Sequence, residues 1–277
     1  MLSSAVRRFL DKWKSYRHRF VPWVVFNLKK NEQSLRKVDD AKYDKLVPDG
    51  EVSASLLKLF TVLHRIHYGG KNHAELRPPP HDDPGLESRE ADAVLRCLGF
   101  NIHRRPSSVP GAGTGVFVSE GLVLKGATVA MYPGTIYQPY EPILLQSIRN
   151  PFVFRCIDGI LVDGNDRGIS RMVFRSCSGR DRLGPLTMSD TSWLTDSPLN
   201  PLAVGQYVNN CSRHTPANVC YQEFDVPGRF PLELHRYLPN VNYSQHTRGP
   251  LRCVVLVALR DIKAGEELFS NYYTIVH

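Results

Sequence analysis

The sequence has no run of about 18 apolar residues, the length a helix needs to cross a bilayer, so no membrane span is predicted. Its longest apolar stretches, such as Val254 to Leu259, have the length of strands. The six cysteines, at 97, 156, 177, 211, 220 and 253, form no CxxC pair, and no Cys/His cluster has zinc-ligand spacing. A metal site is therefore not expected. An uninterrupted apolar secretory core is also missing from the first residues, which predicts an intracellular protein with reduced, mostly buried thiols. Nuclear, cytoplasmic and mitochondrial addresses all stay open.

Net positive charge is scarce outside the N-terminus. Residues 1–30 hold Arg7, Arg8, Lys12, Lys14, Arg17, Arg19, Lys29 and Lys30 against Asp11 alone, which accounts for +7 of the net +8. A protein that clamps nucleic acid through its folded body spreads Lys and Arg over that body. This one does not, and a nucleic-acid partner is disfavoured. With 42% apolar and 22% charged residues, the 277-residue chain reads as an ordinary globular protein, long enough for one sizeable domain with an appendage or for two small ones.

Residues 2–20 have the spacing of an amphipathic helix, with Leu2, Val6, Phe9, Leu10, Trp13, Tyr16 and Phe20 on one face and basic residues on the other. A helix docked on its own domain, contact with a membrane surface or an acidic partner through residues 1–30, and a mitochondrial transit peptide all suit this pattern. A second helix is predicted over Ser53–His67. Its His64 and His67 share a face, but no third metal ligand is in view, so they read as a surface pair. Residues 77–90 form a Pro-rich, charged linker, and a short helix over Glu90–Leu98 follows, ended by Gly99.

From residue 100 onward, short β-branched and aromatic runs alternate with Gly, Pro, Asn and Asp. Strands are predicted at Val116–Val118, Thr128–Tyr132, Phe152–Cys156, Ile160–Val162, Met172–Phe174, Val219–Phe224 and Cys253–Leu259. The pattern is that of a mainly β chain with flanking helices (α+β), not of regular βαβ alternation.

Three segments carry chemistry. Gly111-Ala112-Gly113-Thr114-Gly115 has a GxGxG spacing, yet Arg-Arg-Pro-Ser-Ser-Val-Pro precedes it and Val116-Phe117-Val118 follows. A dinucleotide loop leaves a buried strand and opens a helix, so this context points instead to a turn between strands whose bare backbone can lie against a flat ligand. In Gln206-Tyr207-Val208-Asn209-Asn210-Cys211-Ser212 the adjacent amides offer donors and acceptors for a zwitterionic ligand, or simply make a turn. Cys211 near His214 hints at a thiol nucleophile, without any recognisable orienting partner. Near the end stands Lys263-Ala264-Gly265-Glu266-Glu267-Leu268-Phe269-Ser270-Asn271-Tyr272.

In this order, with the Lys125-Gly126 turn and Tyr132-Pro133-Gly134, these pieces resemble the SET-domain protein lysine methyltransferases, whose pattern runs GxGVF, YxG, an RFINHSCxPN-like block and GEELxxxY. The resemblance covers about residues 102–273, and GEEL with its tyrosine is the most specific part. It implies a SET-type fold of small sheets with a knot-like C-terminal threading, behind a helical N-terminal region. The implied division is a basic, helical part over 1–76, the 77–90 linker, and a SET domain over 91–277 with an insertion at about 135–203. The implied activity is methyl transfer from S-adenosyl-L-methionine to a lysine of a protein substrate. Gly113, Thr114, Gly115, Asn209, Asn210 and Tyr272 would contact the cofactor, and Tyr272 would be the catalytic tyrosine.

Asn210 stands where the family carries His, and Ser270 stands where many members carry an aromatic residue. No Cys-rich segment follows Tyr272, so Tyr207, Tyr273 or the 135–203 insertion is expected to wall the lysine channel. Two other classes of function fit the same sequence: a SET-fold binding or scaffold protein without turnover, and an adaptor that works through its basic N-terminal helix.

Overall fold

The computed structural model describes residues 16–18, 35–38, 45–69, 84–212, 214–245 and 249–276. Strands β1 (Tyr16–His18) and β2 (Leu35–Val38) precede helices α1 (Asp49–Tyr68) and α2 (Pro84–Leu98). Next come β3 (Phe100–Pro106), β4 (Thr114–Val123), β5 (Thr128–Tyr132) and β6 (Gly134–Tyr137). A single turn, α3 (Leu144–Ser147), is followed by β7 (Val153–Arg155), β8 (Leu161–Asp163) and α4 (Gly168–Arg180). The C-terminal part adds β9 (Asn209–Asn210), β10 (Val219–Asp225), β11 (Asn240–Asn242) and β12 (Arg252–Ala258). It ends with β13 (Ile262–Lys263), β14 (Phe269–Ser270) and β15 (Tyr273–Val276).

The short strands that the sequence pattern predicts form small sheets, as the resemblance implies. One has the order β5-β12-β10-β14-β9, a second β11-β6-β8-β7, a third β13-β4-β3, and a fourth β1-β15-β2. β12 lies between β5 and β10 in the first, antiparallel to β10 from Val219 opposite Ala258 to Asp225 opposite Arg252. Its uninterrupted apolar sequence follows from burial on both faces. Val254, Leu256 and Ala258 face one core with Val116, Val118 and Tyr132. Cys253, Val255 and Val257 face a second core with Leu56, Phe60 and Leu63 of α1. Period-two alternation thus serves two apolar layers instead of one layer and solvent.

Helix α1 spans more than the predicted Ser53–His67. Asp49 and Glu51 in its first turn and Arg65 in its last complement the helix dipole. Val52, Leu56, Leu59, Phe60 and Leu63 recur at three- and four-residue spacing and are fully buried. At about 1.5–3 kcal/mol for each large side chain removed from water, this stripe fixes α1 on the sheet. His67 is not on the surface. It is buried, with Nδ1 2.9 Å from the Tyr237 hydroxyl and Nε2 2.6 Å from Glu90 Oε1. The partners that bury it lie 170 and 23 residues away, beyond the reach of a local pattern.

Helix α2 starts at Pro84, inside the segment expected to be a linker. Proline lacks the N–H that is unsatisfied in a first turn anyway, and its fixed φ suits that position. The helix ends at Gly99, whose φ of 85° is the left-handed stop that glycine adopts readily. Met172–Phe174, predicted as a strand, lies within α4. Three apolar residues carry no period, whereas the buried positions Ser170, Phe174, Cys177 and Ser178 recur at helical spacing. Of the helix expected over 2–20, Tyr16–His18 is strand β1, and the rest lies outside the described residues. None of the cysteines is in a disulfide. Among the described residues no helix is long and apolar enough to cross a membrane.

Candidate active site

Three segments far apart in sequence meet at one carboxylate. The β3–β4 connection carries Ser107 to Gly113 and closes through the Ser107 N–H, which donates to the Gly113 carbonyl at 2.8 Å. Gly111 and Gly113 adopt φ of 77° and 74°, so the turn uses glycine's access to the left-handed region. The GxGxG string is therefore a turn between antiparallel strands, in the register Arg105 opposite Gly115.

The C-terminal segment reaches this turn through Glu267, which is 6% exposed. Its Oε1 accepts from Ser107 Oγ at 2.7 Å and from Asn209 Nδ2 at 3.1 Å. Its Oε2 accepts from the Ser108 N–H at 2.8 Å and from Ser108 Oγ at 2.5 Å. Burial works to raise the Glu267 carboxyl pKa, but the bonds from Ser108, Ser107 and Asn209 outweigh it and hold the group below its ordinary value. Next to it, Glu266 turns to the surface and pairs with Arg260 at 2.6 Å. An extended backbone sends adjacent side chains to opposite faces, which separates the two glutamates.

The Asn block is tied to both other segments. Asn209 Nδ2 also donates to the Thr114 carbonyl at 3.1 Å. Strand β9 runs parallel to β14, with Asn209 opposite Phe269 and Asn210 opposite Ser270, and β14 in turn lies beside β10. Asn210 Oδ1 accepts the Tyr272 N–H at 3.1 Å, and the Tyr272 hydroxyl donates to the Val208 carbonyl at 2.9 Å. Asn218 grips the same C-terminal segment, donating to the Glu267 carbonyl and accepting the Phe269 N–H, each at 2.8 Å. Asn210 and Asn218 thus position backbone, Asn210 as an acceptor and Asn218 through its paired donor and acceptor.

A cleft of about 740 Å³ opens beside this junction, lined by Gly113 and Thr114 together with Arg104, Asp166, Val204 and Tyr207. The Tyr207 hydroxyl donates to Asp166 Oδ2 at 2.6 Å, and the Arg104 guanidinium lies 5.1 Å from the ring centre. Burial, then the bond to Asp166 and its charge, push the Tyr207 hydroxyl up to about 12. Arg104 Nη2 donates to the Thr195 and Asp196 carbonyls at 3.0 and 2.8 Å, which fixes the far wall. Charges of both signs therefore face the cleft, an arrangement suited to a zwitterion.

All six candidate residues read from the sequence lie in or against this junction. The sequence reading missed Glu267, Ser107, Ser108 and Asp166. Glu267 stood in the GEEL motif without a signal to separate it from Glu266. Asp166 falls within the 135–203 stretch, where no motif marks it. The thiol reading of Cys211 finds no support, since burial raises its pKa, the reverse of what activates a nucleophile. Cys156, Asp158 and Glu223 come within 4.8 Å of one another, but Arg252 Nη1 sits 2.9 Å from each carboxylate and occupies the place of a cation.

The chain also matches known proteins. The sequence profile of the SET domain matches residues 206–273, which span the Asn block and the C-terminal segment. Human SET domain-containing protein 9 is 52% identical over 98% of this chain and 98% of its own length. The protein of the same name from Pongo abelii is 54% identical over 88% of this chain and 97% of its own. A chain of the Chaetomium thermophilum Polycomb repressive complex 2 aligns at 17% identity with a TM-score of 0.34, covering 65% of this chain and 16% of its own length.

Proposed function

The chain belongs to the SET-domain family, and on that premise we propose that it uses S-adenosylmethionine to methylate a lysine side chain of a protein. The observation that carries this reading is the Glu267 junction, where the glycine turn, the Asn block and the Tyr272 segment are bound to one another beside a single cleft. The family is one of S-adenosylmethionine-dependent methyltransferases.

The residues present fit that cofactor. A side chain at Gly113 would meet nothing within 4 Å, so bare backbone faces the cleft at that point. A volume of about 740 Å³ lies within the range of about 300–1,000 Å³ usual for cofactor sites. Gly113, Thr114 and Tyr207 would hold the cofactor directly, with Gly115, Asn209 and Asn210 fixing the frame around it. When bound, S-adenosylmethionine supplies a methyl group on a positively charged sulfonium.

The work of the chain is to bind, orient and exclude water. Alignment of reactants near contact supplies about 7–11 kcal/mol of the barrier, with no triad or metal. The acceptor amine must be neutral, against an ordinary lysine value of about 10.4. Tyr272 and Tyr207 both pack against the main apolar cluster, and such surroundings disfavour the ammonium form. Because the Tyr272 proton is committed to the Val208 carbonyl, its oxygen meets the amine as an acceptor. An amine N–H held there turns the nitrogen lone pair towards the methyl group. The channel walls are assigned to Tyr207, to the 135–203 insertion that supplies Asp166, and to the β1-β15-β2 sheet that begins one residue past Tyr272. The side chain of Tyr273 lies outside the described residues.

Calorimetric titration with S-adenosylmethionine, followed by a peptide-array screen with labelled donor, tests the proposal. Saturable binding and labelled lysine peptides are expected. No binding at millimolar cofactor would overturn it, and binding without transfer to any peptide would favour a SET-fold scaffold.

A further inference from the structure

A second cavity, of about 260 Å³, lies where the end of α1, helix α4 and the loop over residues 187–199 come together. Its lining carries four arginines, Arg171, Arg175, Arg182 and Arg236, against one carboxylate, Asp190. Arg236 is part of that lining. It is only 4% exposed, and its guanidinium lies 4.3 Å from the centre of the Tyr68 ring. Neither its Nε nor its Nη1 meets an acceptor, and both atoms are closed off from solvent. A buried guanidinium with unmatched N–H groups is costly, and its planar fork suits an oxyanion.

Asp190 does not satisfy it. The Asp190 Oδ1 accepts from the Ser192 N–H at 2.7 Å and from Ser192 Oγ, and Oδ2 accepts from the Asn200 N–H at 3.4 Å. Arg171 is held in the wall by a bond from Nη1 to the Leu194 carbonyl at 2.8 Å. Arg175 and Arg182 are exposed at the rim, and Thr187 and Thr191 add hydroxyl groups to the lining.

We propose that this cavity is a binding site for a small phosphate-bearing anion, a phosphate monoester or diphosphate, seated on Arg236 and closed by Arg175 and Arg182. A lining with three more positive than negative groups matches the multiple charge of a phosphate better than the single charge of a carboxylate. The volume of about 260 Å³ falls just under the range of about 300–1,000 Å³ for drug-sized ligands, which favours a compact anion. This site is separate from the cofactor cleft, although the 194–199 loop walls both.

The test is titration of the full chain with inorganic pyrophosphate, with acetate as the carboxylate control, repeated with saturating S-adenosylmethionine. One-site binding of pyrophosphate tighter than about 1 mM is expected, unchanged by the cofactor and absent with acetate. Arg236→Met is expected to weaken it about tenfold or more. Arg175→Gln and Arg182→Gln change exposed side chains, so each keeps the fold and is expected to weaken binding too. Absence of saturable binding would assign the cavity to water and overturn the proposal. Equal affinity in all variants, competition by S-adenosylmethionine, or equal binding of acetate would also overturn it.

Discussion

The carboxylate of Glu267 occupies the space where a side chain on Gly115 would begin. A Cβ there would collide with Oε1 and press on the Phe117 ring. Four donors hold that carboxylate in place, so it cannot swing aside. Gly115→Ala is therefore expected to destabilise the fold by about 1–3 kcal/mol, the usual cost of overpacking. Cofactor affinity should fall with it, because Thr114 and Asn209 must move. Urea unfolding with cofactor titration checks both, and a variant as stable as the wild type would remove the steric role of Gly115.

Glu267 itself makes stability depend on pH. Its folded value is depressed below the ordinary 4.5, so its contribution is complete above that value and is lost as the pH falls through the folded one. Glu267→Gln would set an amide NH₂ against either the Ser108 N–H or the Asn209 amide, leaving a buried donor unmatched. The expected loss near neutral pH is about 1–3 kcal/mol. The difference between wild type and variant should shrink as pH drops below about 4.5. Urea midpoints measured from pH 3 to pH 7 give the answer, and a difference independent of pH would exclude a charged Glu267.

How far the sequence reveals this site depends on how local each cause is. The glycine turn could be read because its neighbours, a Pro-rich stretch before and Val-Phe-Val after, are incompatible with a strand-loop-helix. Thr128–Tyr132 was legible because a β-branched and aromatic run bounded by turns suits little else. Glu267 was hidden because its four donors come from Ser107, Ser108 and Asn209, and nothing near it in sequence announces them. His67 was hidden for the same reason, as its burial depends on Tyr237 and Glu90. The start of α2 was missed because Pro-Gly reads as punctuation until the chain beyond it is seen to be helical. Met172–Phe174 failed differently: apolar residues without a period fit a strand or a buried helix equally well.

Asp166 is expected to hold Tyr207 in its protonated form. Burial raises the Tyr207 hydroxyl most, and the bond to Asp166 and its negative charge push it further, up to about 12. Asp166→Asn removes the charge and keeps the shape, so Tyr207 should titrate nearer the ordinary tyrosine value of 10.0. Carbon-13 labelling of the tyrosine ring, followed by magnetic resonance from pH 8 to pH 12, resolves the shift. An unmoved Tyr207 would mean that burial alone governs it.

Tyr272 donates its hydroxyl proton to Val208 and holds its backbone N–H on Asn210, so two bonds fix the ring from both ends. Tyr272→Phe keeps the ring, its packing and the bond to Asn210, and removes only the oxygen. The stability cost should be that of one hydrogen bond, about 0.5–1.5 kcal/mol. On the proposed mechanism turnover should suffer far more, because the amine would lose the acceptor that aims its lone pair, and misalignment on the scale of 1 Å costs about a hundredfold. The cofactor should still bind, since the glycine turn and Asn209 are untouched. The signature is thus a large fall in kcat with a small change in cofactor Kd. Equal losses in both would make Tyr272 a part of the cofactor frame, and wild-type turnover would remove it from the reaction.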